Sequence, residues 1–207
     1  MVSSVGSLKR LVYLISPDKI YPTFYKDLEK ILSSKKVFFF QLRLKNKPKG
    51  LIVKIAKKIK KITKKYDVKL IINDDSKLAK KIGADGCHIG QLDNTVISAR
   101  KDIKKKIIGV TCHNSKRFAL KASKDKADYL AFGSFFKSRL KPYANKADLK
   151  ILFWAKKNIN KPIVVIGGIT DKNYKKLIKA GANYIAISTF IWNNPFLKPE
   201  VAIKKFK

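Results

Sequence analysis

The chain has 207 residues, 45% of them hydrophobic, which is enough for one substantial core and short for two domains of ordinary size. Its 48 Lys and Arg against 14 Asp and Glu give a formal charge of +34, and its two cysteines, Cys87 and Cys112, form no CxxC or Cys/His cluster at zinc spacing, which argues against a disulfide framework or a structural zinc site. No apolar run approaches the roughly 18–20 residues of a membrane span, and residues 1–8 lack a charged start followed by an apolar signal core, so the expectation is one cytoplasmic domain over residues 1–207 with its core from about 11 to 192.

In chain order, short apolar β-rich runs occupy residues 11–15, 37–42, 69–72, 86–88, 106–110, 129–132, 162–166 and 184–187. The segments between them are rich in lysine with apolar residues at three- and four-residue spacing, as in Leu51, Ile52, Ile55, Ala56, Ile59 and Ile62, which is the pattern of an amphipathic helix. Strand and helix alternate throughout, and strands so uniformly apolar suit a parallel sheet covered by helices. Eight such units without a GxGxxG after the first strand predict an α/β fold of the single (β/α)8 TIM-barrel type, with short loops.

Polar and glycine residues gather after the strands. Gln41, Arg43 and Lys45 follow the second strand at every second position, so an extended exit there points all three one way and can hold a multiply charged anion. Asn73-Asp74-Asp75 follows the third strand, and Gly90-Gln91-Leu92-Asp93 the fourth. Asp74 and Asp93 then stand on neighbouring strand ends as candidate Mg²⁺ ligands, because Mg²⁺ favours one or two carboxylates completed by substrate phosphate oxygens. Asp75 reads as a helix cap. Thr111-Cys112-His113 ends the fifth strand, with His113 available as a donor or base. Adjacent strand residues point in opposite directions, so neither Cys112 with His113 nor Cys87 with His88 reads as a thiol-imidazole pair. Gly167-Gly168 follows the seventh strand and Ser188-Thr189 ends the eighth, the positions where this fold frequently binds phosphate.

Taken together, Gln41-Leu42-Arg43-x-Lys45, Ile71-Ile72-Asn73-Asp74, Gly83-Ala84-Asp85-Gly86-Cys87-His88-Ile89-Gly90-Gln91-x-Asp93, Ile108-Gly109-Val110-Thr111-Cys112-His113, Ala127-Asp128-Tyr129 and Ile166-Gly167-Gly168-Ile169-Thr170 resemble the thiamine-phosphate synthase family, over about Leu11 to Trp192. The resemblance implies a transferase of thiamine biosynthesis that joins a pyrimidine-methyl pyrophosphate to a thiazole phosphate and releases pyrophosphate. By position, Gln41, Arg43, Lys45 and Asn73 correspond to the pyrimidine-pyrophosphate binders and Asp74 and Asp93 to the Mg²⁺ ligands. Thr111 stands where the family usually has serine, and Lys141 resembles the family's loop lysine on the pyrophosphate. Gly168, Ser188 and Thr189 match the thiazole-phosphate positions. Arg43, Thr111 and Lys141 are the implied catalytic groups, and the resemblance leaves room for a homodimer. The loop from Gly133 to Lys141 departs from the family pattern: one threonine is Ser138, which keeps the hydroxyl, and the other is Leu140, which does not.

Two other readings fit parts of the sequence. A thiazole tautomerase-like barrel would use a histidine at the position of His113, but has no need of Asp74 and Asp93 around a pyrophosphate. A non-enzymatic polyanion or nucleic-acid binder would draw on the +34 charge. Against it, only five of the basic residues are arginine, and the lysines are spread along helix patterns as solvated faces. No specific nucleic-acid partner is therefore expected, and the charge serves instead to steer small anionic substrates.

Overall fold

The computed structural model describes residues 10–137 and 146–207. Eight parallel strands, β1 (Val12–Ile15), β2 (Val37–Leu42), β3 (Lys69–Asn73), β4 (Gly86–Ile89), β5 (Ile107–His113), β6 (Tyr129–Gly133), β7 (Ile163–Ile166) and β8 (Tyr184–Ile187), pair in sequence order. β1 also pairs with β8, which closes the (β/α)8 barrel. Helices α1 (Phe24–Ser33), α2 (Lys49–Lys65), α3 (Ser76–Ile82), α4 (Val96–Ile103), α5 (Lys116–Lys124), α6 (Leu149–Asn158), α7 (Tyr174–Lys179) and α8 (Thr189–Trp192) follow the strands in turn, and α9 (Pro199–Ala202) lies near the C-terminus. Among the described residues no helix is long and apolar enough to cross a membrane.

The strands show no polar alternation in sequence, yet they sort their side chains into two cores. Val12, Leu14, Phe40, Leu70, Ile72, Cys87, Ile108, Leu130 and Val165 face outward against the helices. Tyr13, Ile15, Phe39, Ile71, Tyr129, Ala131, Val164 and Ala186 fill the barrel interior. Successive side chains take opposite faces, and here both faces are apolar because both are buried. Inside, Tyr13 and Phe39 have ring centroids 5.2 Å apart, and Phe39 and Tyr129 5.4 Å. Such pairs add about 0.5–1.5 kcal/mol each beyond the area they bury.

The helices bury the expected stripe with one exchange. In α2 the inward row is Ile55, Ala56, Ile59 and Thr63, while Leu51 at the first turn is exposed. The row at spacing four runs on to Thr63, whose hydroxyl donates to the carbonyl of Lys60 at 3.2 Å, so the polar residue is buried at no hydrogen-bond loss.

A repeated device secures the N-terminal end of the barrel. Asp85, Asp128 and Asn183 each precede a strand, and their side chains accept the backbone N–H of Leu70, Ile108 and Ile163, each at 2.8 Å. The same three residues donate their own N–H back to the carbonyls of Leu70, Ile108 and Ile163. Arg100 adds an ion pair to Asp128 at 2.7 Å. Asp128→Ala leaves the Ile108 amide without its acceptor and is expected to cost about 1–3 kcal/mol in urea denaturation. The site at the opposite end should remain active in the folded fraction.

Candidate active site

The polar residues singled out in the sequence gather at the C-terminal strand ends, each placed by a different local rule. β2 ends at Leu42, and the alternation continues past it: Leu42 and Leu44 are buried while Arg43 is partly exposed and Lys45 exposed. Each of the three polar groups has its own partner. Gln41 turns into the barrel and donates to the hydroxyl of Tyr13 at 3.0 Å. Arg43 Nη1 lies 3.4 Å from Asp18, and Lys45 Nζ lies 3.9 Å from Asp74. Ser16 anchors this exit by accepting the Arg43 N–H at 3.0 Å. Asp18 and Ser16 carry no motif of their own, and only the β1–β2 pairing brings them here.

Asp74 adopts a left-handed backbone, φ 63°. That conformation is uncommon outside glycine but tolerated by Asp, and it tends to occur where geometry matters. The turn is held by the Asp74 N–H donating to the His88 carbonyl at 2.7 Å and by Asp75 capping α3 through the Leu78 N–H at 2.8 Å. Asp93 curls back to accept the Gly90 N–H at 2.7 Å, and its carboxyl stands close enough to that of Asp74 to act on it electrostatically. Half-burial, then the neighbouring Asp93 carboxyl and its negative charge, raise the Asp74 carboxyl to about 6 against the pull of Lys45 and Arg43. Among the described residues no three His, Cys, Asp or Glu groups converge, so a cation here would need oxygens from a bound partner.

On β5, Thr111 Oγ1 lies 2.8 Å from His88 Nε2, and the Thr111 carbonyl accepts from the side chain of Gln91. His113 is exposed, with φ 52°, just past a register shift between β5 and β6. Cys87 and Cys112 are free, buried on the outer face, and pushed up to about 12 by burial, so neither is a nucleophile.

His88 follows the strand alternation inward, opposite to Cys87. It lies in the barrel interior, and desolvation lowers it to about 4. The unfolded state therefore takes up a proton below its ordinary 6.5 while the folded state stays neutral. Stability present above 6.5 is lost as pH falls toward 4, at about 1.4 kcal/mol per unit. The expected sum is about 3 kcal/mol, read as a steeper acid decline of denaturant midpoint in the parent than in His88→Gln.

The last groups stand on β7 and β8. Gly167 and Gly168 have φ 106° and 59°, and a Cβ on Gly168 would lie 2.4 Å from the Lys137 carbonyl, so only glycine fits this turn. Asn173 holds the turn by donating to the Gly168 carbonyl at 2.9 Å. Ser188, at the end of β8, donates to the Ser16 carbonyl at 3.2 Å, and Thr189 starts α8. Asn73 is the last residue of β3, paired with His88. Ser138 and Lys141 lie outside the described residues.

A closed parallel barrel with its polar side chains assembled at the C-terminal strand ends defines the class: a (β/α)8-barrel enzyme. The sequence model of the thiamine monophosphate synthase family matches residues 12–191. The chain belongs to that family, and it is a transferase. It is 56% identical to the thiamine-phosphate synthase of Pelagibacter ubique over 200 residues, covering 96% of this chain and 97% of that one. It is 37% identical to that of Rhodospirillum centenum over 94% of this chain and 95% of the relative. Among solved structures, a thiamine phosphate pyrophosphorylase from Pyrococcus furiosus superposes with a TM-score of 0.85 at 27% identity, covering 96% of this chain and 94% of that one.

Proposed function

We propose that the chain condenses a hydroxymethylpyrimidine pyrophosphate with a thiazole phosphate, forming thiamine phosphate and releasing pyrophosphate. The observation that carries this reading is the Asp74–Asp93 carboxyl pair beside Arg43 and Lys45 at the ends of β2, β3 and β4. Two carboxylates in contact, one of them raised, mark a spot that favours a cation, and the neighbouring cations favour an anion alongside it.

The pair fits Mg²⁺, with Asp74 and Asp93 as its protein ligands. When bound, the ion offsets the negative charge on the pyrophosphate oxygens. Arg43, Lys45 and Lys141 supply further positive charge to the same group, and Thr111 a hydroxyl. Gln41 and Asn73 fix the pyrimidine. The methylene–oxygen bond breaks as pyrophosphate leaves with its electron pair, the electron-rich pyrimidine ring stabilises the resulting carbocation, and the thiazole nitrogen forms the new carbon–nitrogen bond. Gly168, Ser188 and Thr189 hold the thiazole phosphate so that its nitrogen lies in reach, and no protein nucleophile is needed. A tautomerase reading leaves the Asp74–Asp93 pair without a task.

Two subsites predict a split in the kinetics. Arg43→Ala is expected to raise KM for the pyrimidine pyrophosphate and lower kcat, whereas Ser188→Ala acts mainly on KM for the thiazole phosphate. Steady-state titration of each substrate in both variants tests this. Equal effects of both variants on both substrates would contradict the assignment.

A further inference from the structure

Four hydrogen bonds cross the barrel interior in one line. Gln41 Nε2 donates to the Tyr13 hydroxyl at 3.0 Å, the hydroxyls of Tyr13 and Tyr129 are 2.7 Å apart, Tyr129 OH lies 2.9 Å from His88 Nδ1, and His88 Nε2 lies 2.8 Å from Thr111 Oγ1. Gln41, Tyr13, Tyr129 and His88 are all buried, and among the described residues no buried side-chain nitrogen or oxygen lacks a partner. The line runs from a residue assigned to the pyrimidine across the barrel to one assigned to the pyrophosphate, through three groups given no role so far.

With the Gln41 amide nitrogen facing Tyr13, proton counting gives the line a direction. The Gln41 nitrogen can only donate, so the Tyr13 oxygen accepts there and gives its own proton to Tyr129. Tyr129, accepting from Tyr13, gives its proton to His88 Nδ1. The neutral imidazole then carries its hydrogen on Nε2 and donates it to Thr111 Oγ1. The opposite polarity would put a second donor against Tyr13 or strand its proton in a dry interior, at a cost comparable to a lost hydrogen bond. Thr111 Oγ1 therefore accepts from His88, and its own proton is left to be donated on the partly exposed side of the residue. A deprotonated pyrophosphate oxygen that gathers negative charge accepts hydrogen bonds, so this is the orientation that stabilises a departing pyrophosphate.

We propose that Tyr13, Tyr129 and His88 are positioning residues that lock Thr111 as a hydrogen-bond donor toward the leaving pyrophosphate, with His88 held as its Nε2–H tautomer. The identity of the acceptor rests on the synthase reading above; the polarity of the line does not. Stacking of the His88 and Tyr129 rings, centroids 5.6 Å apart and planes 19° apart, holds the imidazole in register.

The test is long-range proton–nitrogen correlation NMR on histidine-labelled protein without substrate. The chain has two histidines, so His113→Gln assigns both rings. A protonated Nε2 and a bare Nδ1 on His88 are expected; hydrogen on Nδ1, or a charged ring at neutral pH, overturns the proposal. As the kinetic arm, Tyr129→Phe removes the proton given to Nδ1. It is expected to blur the tautomer signal and lower kcat on the order of tenfold to a hundredfold, leaving KM for the thiazole phosphate unchanged. Thr111→Ser should restore what Thr111→Val loses. Unchanged kcat in a folded Tyr129→Phe also overturns it. If the parent forms no thiamine phosphate, the synthase reading fails while the NMR result still decides the relay.

Discussion

Asp93→Ala is expected to lower kcat/KM for pyrophosphate release by on the order of 10²–10³-fold, the loss typical when one of the groups stabilising a developing charge is removed. The change is clean because Asp93 is exposed and its hydrogen bond is local, to the Gly90 amide, with the Asp74 carboxyl nearby. Stability should shift within about 0.5 kcal/mol, as for most surface substitutions. The defect should respond to Mg²⁺, with more metal needed to reach half-maximal rate. Steady-state rates across a magnesium titration check this, and an unaltered metal dependence would separate Asp93 from the cation site.

Gly109→Ala is expected to be the most damaging single methyl group in the barrel. A Cβ on Gly109 would lie 1.8 Å from Cζ and 2.2 Å from the hydroxyl of Tyr129, which fills the space opposite. Tyr129 is fully enclosed and tied to both Tyr13 and His88, so it has nowhere to yield. Overpacking commonly costs about 1–3 kcal/mol, and this site belongs at or above the top of that range. Gly50→Ala makes the control. Gly50 lies in α2 with nothing within 4 Å of its added Cβ, and alanine there should gain about 0.5–1 kcal/mol. Urea midpoints of the two variants should therefore move in opposite directions.

These two sites differ in how far the sequence announced them. Asp93 is visible because acids are scarce in this chain and it follows a strand. What the sequence withholds is its contact with Asp74, which depends on the left-handed turn at Asp74 and on the β3–β4 pairing. The eight strands are legible as apolar runs between lysine-rich helices. Their closure is not, since β1 meets β8 across nearly the whole chain. Tyr13 and Tyr129 read as ordinary apolar strand residues, and their hydroxyls acquire meaning only when the barrel interior brings four strands together. Strand alternation separates His88 from Cys87, and Cys87 faces outward. The same alternation that rejects the pair sends His88 inward, so the signal was present and pointed to an interior role. The spacing of Arg43 and Lys45 announces a cationic cluster but not the carboxylates beside it, Asp18 for Arg43 and Asp74 for Lys45.

The most direct test of the account is acceptor-dependent pyrophosphate release: purified protein, hydroxymethylpyrimidine pyrophosphate and Mg²⁺, with and without thiazole phosphate. The account predicts stoichiometric pyrophosphate and thiamine phosphate when both substrates are present, and neither when Mg²⁺ is chelated. Binding of both substrates without any release would contradict it and direct attention to the Gly133–Lys141 loop and a different acceptor.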